Sequence, residues 1–184
     1  MLELNFNPFP TLTTDRLVLR QLDKTDADEM FFLRSNERVM KYLDRAPAKS
    51  VDEAVAFIQM INTAIANNES INWAITLKGE PKIIGDICFW RMDSPNHRAE
   101  IGYRLHPAHH GKGIMNEALH SVLDYGFNVM NLHSVEANTN PGNKESIRLL
   151  ERNGFIREGY FKENYFYNGK FLDSAVYSLV RPIP

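Results

Sequence analysis

One stretch near the middle of the chain constrains the fold more than any other feature. Residues 103–119 read YRLHPAHHGKGIMNEAL: the end of a strand, a loop with Gly111 and Gly113, and the start of a helix. Such a loop presents unpaired N–H groups and the positive end of a helix dipole to whatever lies above it. Because glycine has no Cβ, the backbone can also approach a ligand closely. The pattern is typical of an anion site, above all for pyrophosphate, although an ordinary left-handed turn would use the same residues.

Two common phosphate loops are excluded by the residues at their fixed positions. The Walker pattern needs a glycine where His106 stands and a serine or threonine after Lys112, where Gly113 stands. The dinucleotide fingerprint needs glycine or alanine at its third fixed position, which is Asn116. A phosphate site here therefore requires a different scaffold.

Apolar residues along the rest of the chain repeat with two periods, that of a strand and that of a helix. Strands are predicted near residues 16–22, 71–78, 82–92, 97–105, 133–139, 155–162 and 170–180, and helices after Thr25 and over about 50–67, 113–130 and 144–152. The core-facing stripe predicted for the third helix is Ile114, Ala118, Val122, Tyr125 and Val129. Asn168-Gly169 predicts a tight hairpin between the last two strands. This order of elements predicts an α/β fold, a mixed sheet with helices on both faces.

Composition excludes several classes of protein. No repeat or linker divides the 184 residues, which predicts one domain over residues 1–184. The 21 basic and 23 acidic residues form no charge block, so no nucleic acid or membrane is expected as a partner. The lone Cys88 and six histidines without ligand spacing give no reason to expect a disulfide or a metal. Without a membrane-length apolar run or a signal-like start, the expected location is the cytoplasm.

Four blocks of the chain resemble the GNAT N-acetyltransferase superfamily, most closely its branch of ribosomal-protein alanine N-acetyltransferases. The blocks are Leu12–Arg20, Ala99–Tyr103, Gly113–Leu119 and Asn143–Phe155. The resemblance implies one GNAT domain with a mixed, mostly antiparallel central sheet and helices on both faces. It also implies an enzyme that moves an acetyl group from acetyl-CoA to a primary amine, by direct attack in a ternary complex and without a metal.

The resemblance further implies which residues bind acetyl-CoA, the co-substrate. Backbone groups of Tyr103 and Leu105 would pair with the pantetheine arm as an added strand. Asn143 would bond a pantetheine amide, although an asparagine before a helix is equally a good N-cap. The pyrophosphate would lie on the loop and the first helical turn, which comprise His110, Gly111, Lys112, Gly113, Ile114, Met115 and Asn116. His110 and Met115 depart from the family motif, which matters little where backbone N–H groups make the contacts.

Glu100 is the predicted general base. By strand alternation it shares a face with Gly102 and Arg104, and a carboxylate beside the reacting thioester can accept the amine proton, directly or through water. The family places a bulge in this strand, and Gly102 fits such a bulge. The alternative is a surface carboxylate paired with Arg98 or Arg104.

The proton donor to the leaving thiolate is a second open question. Leu150 stands where many alanine N-acetyltransferases carry a tyrosine proposed as general acid, and leucine has no proton to give. Ser146 is the candidate replacement, although a serine inside a helix is more often solvated or bonded to the backbone. The missing tyrosine also leaves open a CoA-binding module that no longer catalyses.

The expected acceptor is a protein N-terminus or a small amine. An α-amine with a pKa near 7.8 is roughly one-third neutral at pH 7.5, whereas lysine is about 0.1% neutral. Trp73, Trp90, Tyr165 and Tyr167 either line an acceptor groove or pack within the sheet. Cys88, in an apolar strand, is expected in the core rather than as a nucleophile. Both a monomer and a homodimer are compatible with the sequence.

Overall fold

The computed structural model describes residues 2–181, which form eight strands and five α-helices. The strands are β1 Leu12–Thr13, β2 Leu17–Arg20, β3 Ile71–Leu77, β4 Ile83–Asp93, β5 Arg98–Leu105, β6 Ser134–Thr139, β7 Ile156–Tyr167 and β8 Lys170–Val180. The helices are α1 Ala27–Ser35, α2 Glu37–Met40, α3 Val51–Ala66, α4 Ile114–Asn128 and α5 Lys144–Arg152. Within the described part of the chain, no helix is both long and apolar enough to cross a membrane.

All eight strands belong to one sheet in the order β1-β2-β3-β4-β5-β6-β8-β7. Every neighbouring pair is antiparallel except β5 and β6, which are parallel. The predicted mixed, mostly antiparallel sheet is therefore confirmed. The predicted end of β7 near residue 162 is wrong, because a register shift after Phe161 lets this strand continue to Tyr167. Asn168 and Gly169 then turn the chain with φ angles of 49° and 80°, as a two-residue hairpin requires.

One face of the sheet packs against α4. Ile114, Ala118, Val122 and Tyr125 are buried as predicted, whereas Val129 is 60% exposed, because the helix ends at Asn128. Close approach of α4 to the sheet depends on Gly126. A Cβ at this position would lie 2.8 Å from the ring of Phe89, so only glycine fits without a shift of the core.

The opposite face of the sheet is covered by α1 and α3. Arg104 of β5 forms a buried ion pair with Asp86 of β4, with Nη2 2.6 Å from Oδ2. Its guanidinium lies 5.3 Å from the ring centre of Phe57 in α3 and its Nη2 lies 3.9 Å from the sulfur of Met30 in α1. The central sheet therefore has helices on both faces, as the sequence predicts.

The parallel strands β5 and β6 pair over only three residues. Their register joins Arg98 to Ser134, Ala99 to Val135, and Glu100 to Glu136. Beyond this point β5 continues to pair with β4, and β6 continues to pair with β8. The sheet therefore opens into a wedge between residues 101–105 and 137–139, and this wedge is closed at Glu100.

Candidate active site

The open end of the wedge leads into the loop before α4. Gly111 and Gly113 have φ angles of 72° and 73°, a left-handed conformation that favours glycine. Gly113 occupies the N-cap position, and no side chain caps this end of the helix. A Cβ at Gly111 would meet no atom within 4 Å, so the space beside the loop is open. The first N–H groups of α4 are thus available to an anion. The left-handed turn considered as the alternative is present as well, and the two do not exclude each other.

Side chains of the loop hold it against the neighbouring elements. His110 Nε2 lies 3.0 Å from the carbonyl oxygen of Leu105, and its Nδ1 lies 3.7 Å from Glu145 of α5. Asn116 accepts a hydrogen bond from Asn153 at 2.9 Å. Ile114 and Met115, in the first turn of the helix, are buried, whereas Lys112 in the loop is exposed. An anion at this loop would therefore meet backbone N–H groups and the exposed Lys112.

Arg16 also lies beside this loop, a position that the sequence analysis missed. Its Nη1 donates to the carbonyl of Lys112 at 2.9 Å, and its Nε donates to Glu117 at 2.6 Å. Its side chain remains 49% exposed, and its Nη2 would lie 3.5 Å from a Cβ at Gly113. The charge of Arg16 is paired with Glu117, and its Nη2 places a further hydrogen-bond donor beside the helix N-terminus.

The start of α5 carries a pair of hydroxyl groups. Asn143 caps the helix by accepting from the N–H of Ser146 at 3.2 Å, which is the N-cap role considered above. The Oγ of Ser146 lies 2.7 Å from the hydroxyl of Tyr103. Burial raises the pKa of Tyr103 to about 12, against the smaller opposing effect of the Ser146 hydrogen bond. Leu150 is fully buried in the core.

Glu100 is buried at the closed end of the wedge, with 7% of its surface exposed. Its carboxylate accepts from Arg91 Nη1 at 3.0 Å. Burial raises its pKa above the usual glutamate value, and the positive charge of Arg91 only partly opposes this. The expected alternative partners are wrong, since Arg98 pairs with Glu136 and Arg104 pairs with Asp86. A cavity of about 200 Å³ is lined by Arg91, Arg98, Glu100 and Glu136.

A bulge in β4 brings Arg91 to the carboxylate of Glu100, whereas the sequence analysis expected a bulge in β5 at Gly102. The register of β4 with β5 runs without a break from Gly85–Leu105 to Trp90–Glu100, so β5 has no bulge at Gly102. The break lies in β4 instead, between Trp90 and Asp93, where Arg91 has a φ of 46°. The extra residue re-aims the strand, which is a common effect of a bulge near a functional site.

Trp90 pairs directly with Glu100 and is surrounded by polar groups. Arg91 and Arg45 lie 4.3 and 5.2 Å from its ring centre. Tyr165 donates a hydrogen bond to Asp44, in the segment that follows α2. The other two aromatic residues considered for an acceptor groove lie away from Trp90 and Tyr165. Trp73 is fully buried in the core, and Tyr167 lies next to the β7–β8 turn.

Cys88 lies on the same face, with Sγ 3.4 Å from where a Cβ of Gly102 would stand. It is partly buried, and burial raises the pKa of its thiol to about 12. Such a thiol is not a nucleophile near neutral pH. Among residues 2–181, no three His, Cys, Asp or Glu side chains are arranged to hold a metal ion.

Comparison with known families decides the wider class of this site. The family model for the acetyltransferase (GNAT) domain matches residues 16–156, a span that includes the loop, the wedge and Glu100. The chain belongs to the GNAT acetyltransferase family. It is therefore an N-acetyltransferase, as the resemblance in the sequence implied.

GNAT relatives match over almost the whole chain. The chain is 37% identical to an N-acetyltransferase of Bacillus licheniformis, p20, over 93% of this chain and 96% of p20. It is 30% identical to the ribosomal protein uS5-alanine N-acetyltransferase of Escherichia coli, over 95% of this chain and 93% of that protein.

Solved GNAT structures agree with the fold. An acetyltransferase from Bacillus anthracis has a TM-score of 0.82 at 29% identity and covers 93% of this chain and 98% of its own. The spermidine N-acetyltransferase of Vibrio cholerae, solved with CoA and spermine, has a TM-score of 0.80 at 26% identity, over 91% of this chain and 97% of its own. The acceptors named for these GNAT proteins thus differ in chemistry.

Sequence reasoning missed two side chains of this GNAT site. Arg16 falls in the first resembling block, where only its strand role was considered, and the phenol of Tyr103 was overlooked in favour of its backbone. A signal existed for Tyr103, because strand alternation places it on the face opposite Glu100. For Arg16 the deciding contact is with Glu117, 101 residues away, and no local pattern announces it.

Proposed function

We propose that this GNAT enzyme transfers the acetyl group of acetyl-CoA to a primary α-amine, that of a protein N-terminus or of a small molecule, in a ternary complex. The wedge between β5 and β6 carries the proposal. It has a buried carboxylate at its closed end and an uncapped helix N-terminus beyond its open end. Glu100 and Leu105 are about 16 Å apart along the strand. A ligand that reaches from the anion site to Glu100 must therefore be long and thin, as a phosphopantetheine arm is.

The residues present fit this ligand. Backbone N–H groups from Gly113 to Asn116 suit its pyrophosphate, with Arg16 beside them. The free edge of Tyr103 suits the pantetheine amides as a partner strand. The N–H of Leu105 is the group left for the same pairing, because its carbonyl already has His110 as a partner. When bound, acetyl-CoA supplies an acetyl thioester.

Glu100 takes the proton of the attacking amine, directly or through a water molecule. Burial raises its pKa toward neutrality, which makes the carboxylate a stronger base than an exposed one. An α-amine also requires less help than a lysine, because roughly a third of it is already neutral near pH 7.5. The larger neutral fraction supports an α-amine as the acceptor.

Ser146 gives a proton to the departing thiolate. The hydroxyl of Tyr103, 2.7 Å away, returns a proton to Ser146 in the same step, and the phenol then regains its own proton from solvent as CoA leaves with its thiol protonated. This pair supplies the acid function that Leu150, buried in the core, lacks. Asn143 keeps Ser146 in place by capping the same helical turn.

The test of the proposal is release of free thiol from acetyl-CoA. The protein is incubated with acetyl-CoA and a panel of peptides with free N-termini, polyamines and aminoglycosides, and acetylated products are identified by mass spectrometry. Acetylation of an α-amine at a rate well above the acceptor-free hydrolysis is expected. No acceptor-dependent release across the panel, with CoA still bound, would instead favour a CoA-binding module.

A further inference from the structure

The carboxylates on the sheet face around Glu100 all have partners. Arg91 and Arg98, on β4 and β5, hold two of them, and the third lies deeper in an ion pair with Arg104. A tyrosine hydroxyl holds the fourth. The pairs are Glu100–Arg91, Glu136–Arg98, Asp86–Arg104 and Asp44–Tyr165. A second positive charge on an acceptor would therefore compete with an arginine at three of these four carboxylates, while Glu158, on the same face, accepts a hydrogen bond only from Ser178.

Two arginines on this face keep unused hydrogen-bond donors. Arg45 is exposed, lies 5.2 Å from the ring centre of Trp90, and has no carboxylate oxygen within 4.0 Å among residues 2–181. Arg91 lies over the same ring at 4.3 Å and uses Nη1 for Glu100, while its side chain is 63% exposed. Two guanidinium groups with free N–H donors thus stand on the indole that pairs directly with the base.

A further arginine, Arg34, lies in the same region. Arg34 of α1 lies 3.8 Å from the ring centre of Phe57. Its pKa is lowered, first by burial and then by the positive charges of Arg104 and Arg45. The carboxylates of Asp86 and Glu53 oppose the effect of these charges on the pKa of Arg34, so burial is the main cause of the shift.

We infer that the acceptor is an acidic peptide N-terminus, whose carboxylate close to the reacting amine binds to Arg45 and Arg91. This inference rests on the proposed function and narrows its acceptor. A guanidinium matches the planar carboxylate with two parallel N–H donors, and stacking on Trp90 holds both groups in orientation. The amine of the same molecule is then directed toward Glu100, next to Trp90 in the sheet.

Matched peptides test this inference. Ala-Asp-Ala-Ala-amide and Ala-Ala-Asp-Ala-amide are compared with their asparagine counterparts, which share the N-terminal amine and differ only in the carboxylate. Binding to the CoA-saturated protein is measured by calorimetry, and thiol release from acetyl-CoA is measured separately. Spermidine serves as the cationic acceptor.

At least one aspartate peptide should bind about tenfold more tightly than its asparagine counterpart and more tightly than spermidine. The preference should fall to within twofold in Arg45→Gln and persist in Arg38→Gln. Arg38 is the matched control, because it is exposed on α2 and carries the same charge without a contact to Trp90.

Equal binding of each aspartate and asparagine pair, tighter binding of spermidine, or an undiminished preference in Arg45→Gln would overturn the inference. Failure of the proposed function gives a different result: no thiol is released with any acceptor, while the Arg45-dependent preference in binding is retained. The two readouts therefore separate the anion subsite from the chemistry.

Discussion

At the scale of single residues, Glu100 stands in an environment that suits a base. It is buried, faces Trp90 across the strands, and is held by one exposed arginine. Burial makes its ionised form less favourable in the folded protein than in the unfolded chain. This carboxylate therefore costs stability above its folded pKa, and the cost is absent below the ordinary glutamate pKa. A buried carboxylate at this position is therefore not explained by stability, whereas the proposed role as a base would account for it.

Replacement of Glu100 by glutamine should lower kcat/KM at neutral pH by about 100-fold or more. Glutamine keeps the shape but cannot accept a proton, so the loss should shrink as the pH rises and the amine arrives neutral. The variant should fold with at least wild-type stability at neutral pH, because glutamine puts no charge at this buried position. Rates between pH 6 and 10 with one good acceptor provide the measurement.

Glu136→Gln is the matched control for this prediction. Glu136 lies directly opposite Glu100 on β6 and pairs with Arg98, so its replacement makes the same change of charge nearby. Its loss of activity should be several times smaller. Parallel pH profiles of the wild type and Glu100→Gln would mean that Glu100 only positions groups.

A second residue-scale prediction concerns the hydroxyl pair. Ser146→Ala should lower kcat by roughly 10²–10⁴-fold while the affinity for CoA stays near wild type. Tyr103→Phe should lose less, because the serine hydroxyl remains, and the double variant should lose less than the two factors multiplied. Single-turnover kinetics and calorimetry would measure this. A loss below about threefold in Ser146→Ala would show that the thiolate leaves unaided.

At the scale of elements, the position of α4 on the sheet depends on Gly126. Gly126→Ala would place a Cβ 2.8 Å from the ring of Phe89, at a typical overpacking cost of about 1–3 kcal/mol. The better helix propensity of alanine offsets up to about 1 kcal/mol of this. We expect a lower free energy of unfolding in urea titrations. His120→Ala, exposed on the same helix, should change stability by less than about 0.5 kcal/mol. A Gly126→Ala protein more stable than wild type would contradict this packing.

Element boundaries follow from local chemistry where the sequence analysis succeeds. Ser50 caps α3 by accepting from the N–H of Glu53 at 3.3 Å. The full capping box that residues 50–53 predict is wrong in its other half, because Glu53 accepts from the N–H of Lys49 rather than from that of Ser50. After α5, Gly154 adopts a φ of 82°, as its position after Asn153 predicts. These outcomes depend on residues within a few positions of each other.

At the scale of the whole molecule, binding at the wedge should couple to stability. A ligand present at 100 times its Kd stabilises the folded state by about 2.7 kcal/mol, which raises the Tm of a domain of this size by roughly 5–10 °C. CoA and acetyl-CoA should give similar shifts, because the proposed contacts go to pyrophosphate and pantetheine. Thermal unfolding of the wild type with each ligand would measure this.

Gly113→Val should reduce the affinity for CoA by well over tenfold, about 1.4 kcal/mol, and reduce the shift in Tm with it. The matched control is Gly79→Val, because Gly79 has a φ of 80° and open space around it, in the turn between β3 and β4. It imposes the same backbone strain and should leave the affinity for CoA unchanged. A wild-type affinity for CoA in Gly113→Val would mean that the pyrophosphate does not bind at this loop.

The sequence by itself determined the order of seven of the eight strands and four of the five helices, and missed the two shortest elements, β1 and α2. It also determined the hairpin at Asn168-Gly169, and the strand, glycine loop and helix that form the candidate anion site. These features depend on periodicity and turn chemistry, which act between near neighbours along the chain. Only the tertiary structure decided that β5 and β6 separate after Glu100, because that follows from the different partners of the two strands on their other edges. It likewise decided which side chains meet. Tyr103 bonds Ser146 across 43 positions, and the bulge in β4, rather than one in β5, brings Arg91 to Glu100. Contacts of this kind depend on which elements pack side by side, and no local pattern encodes that.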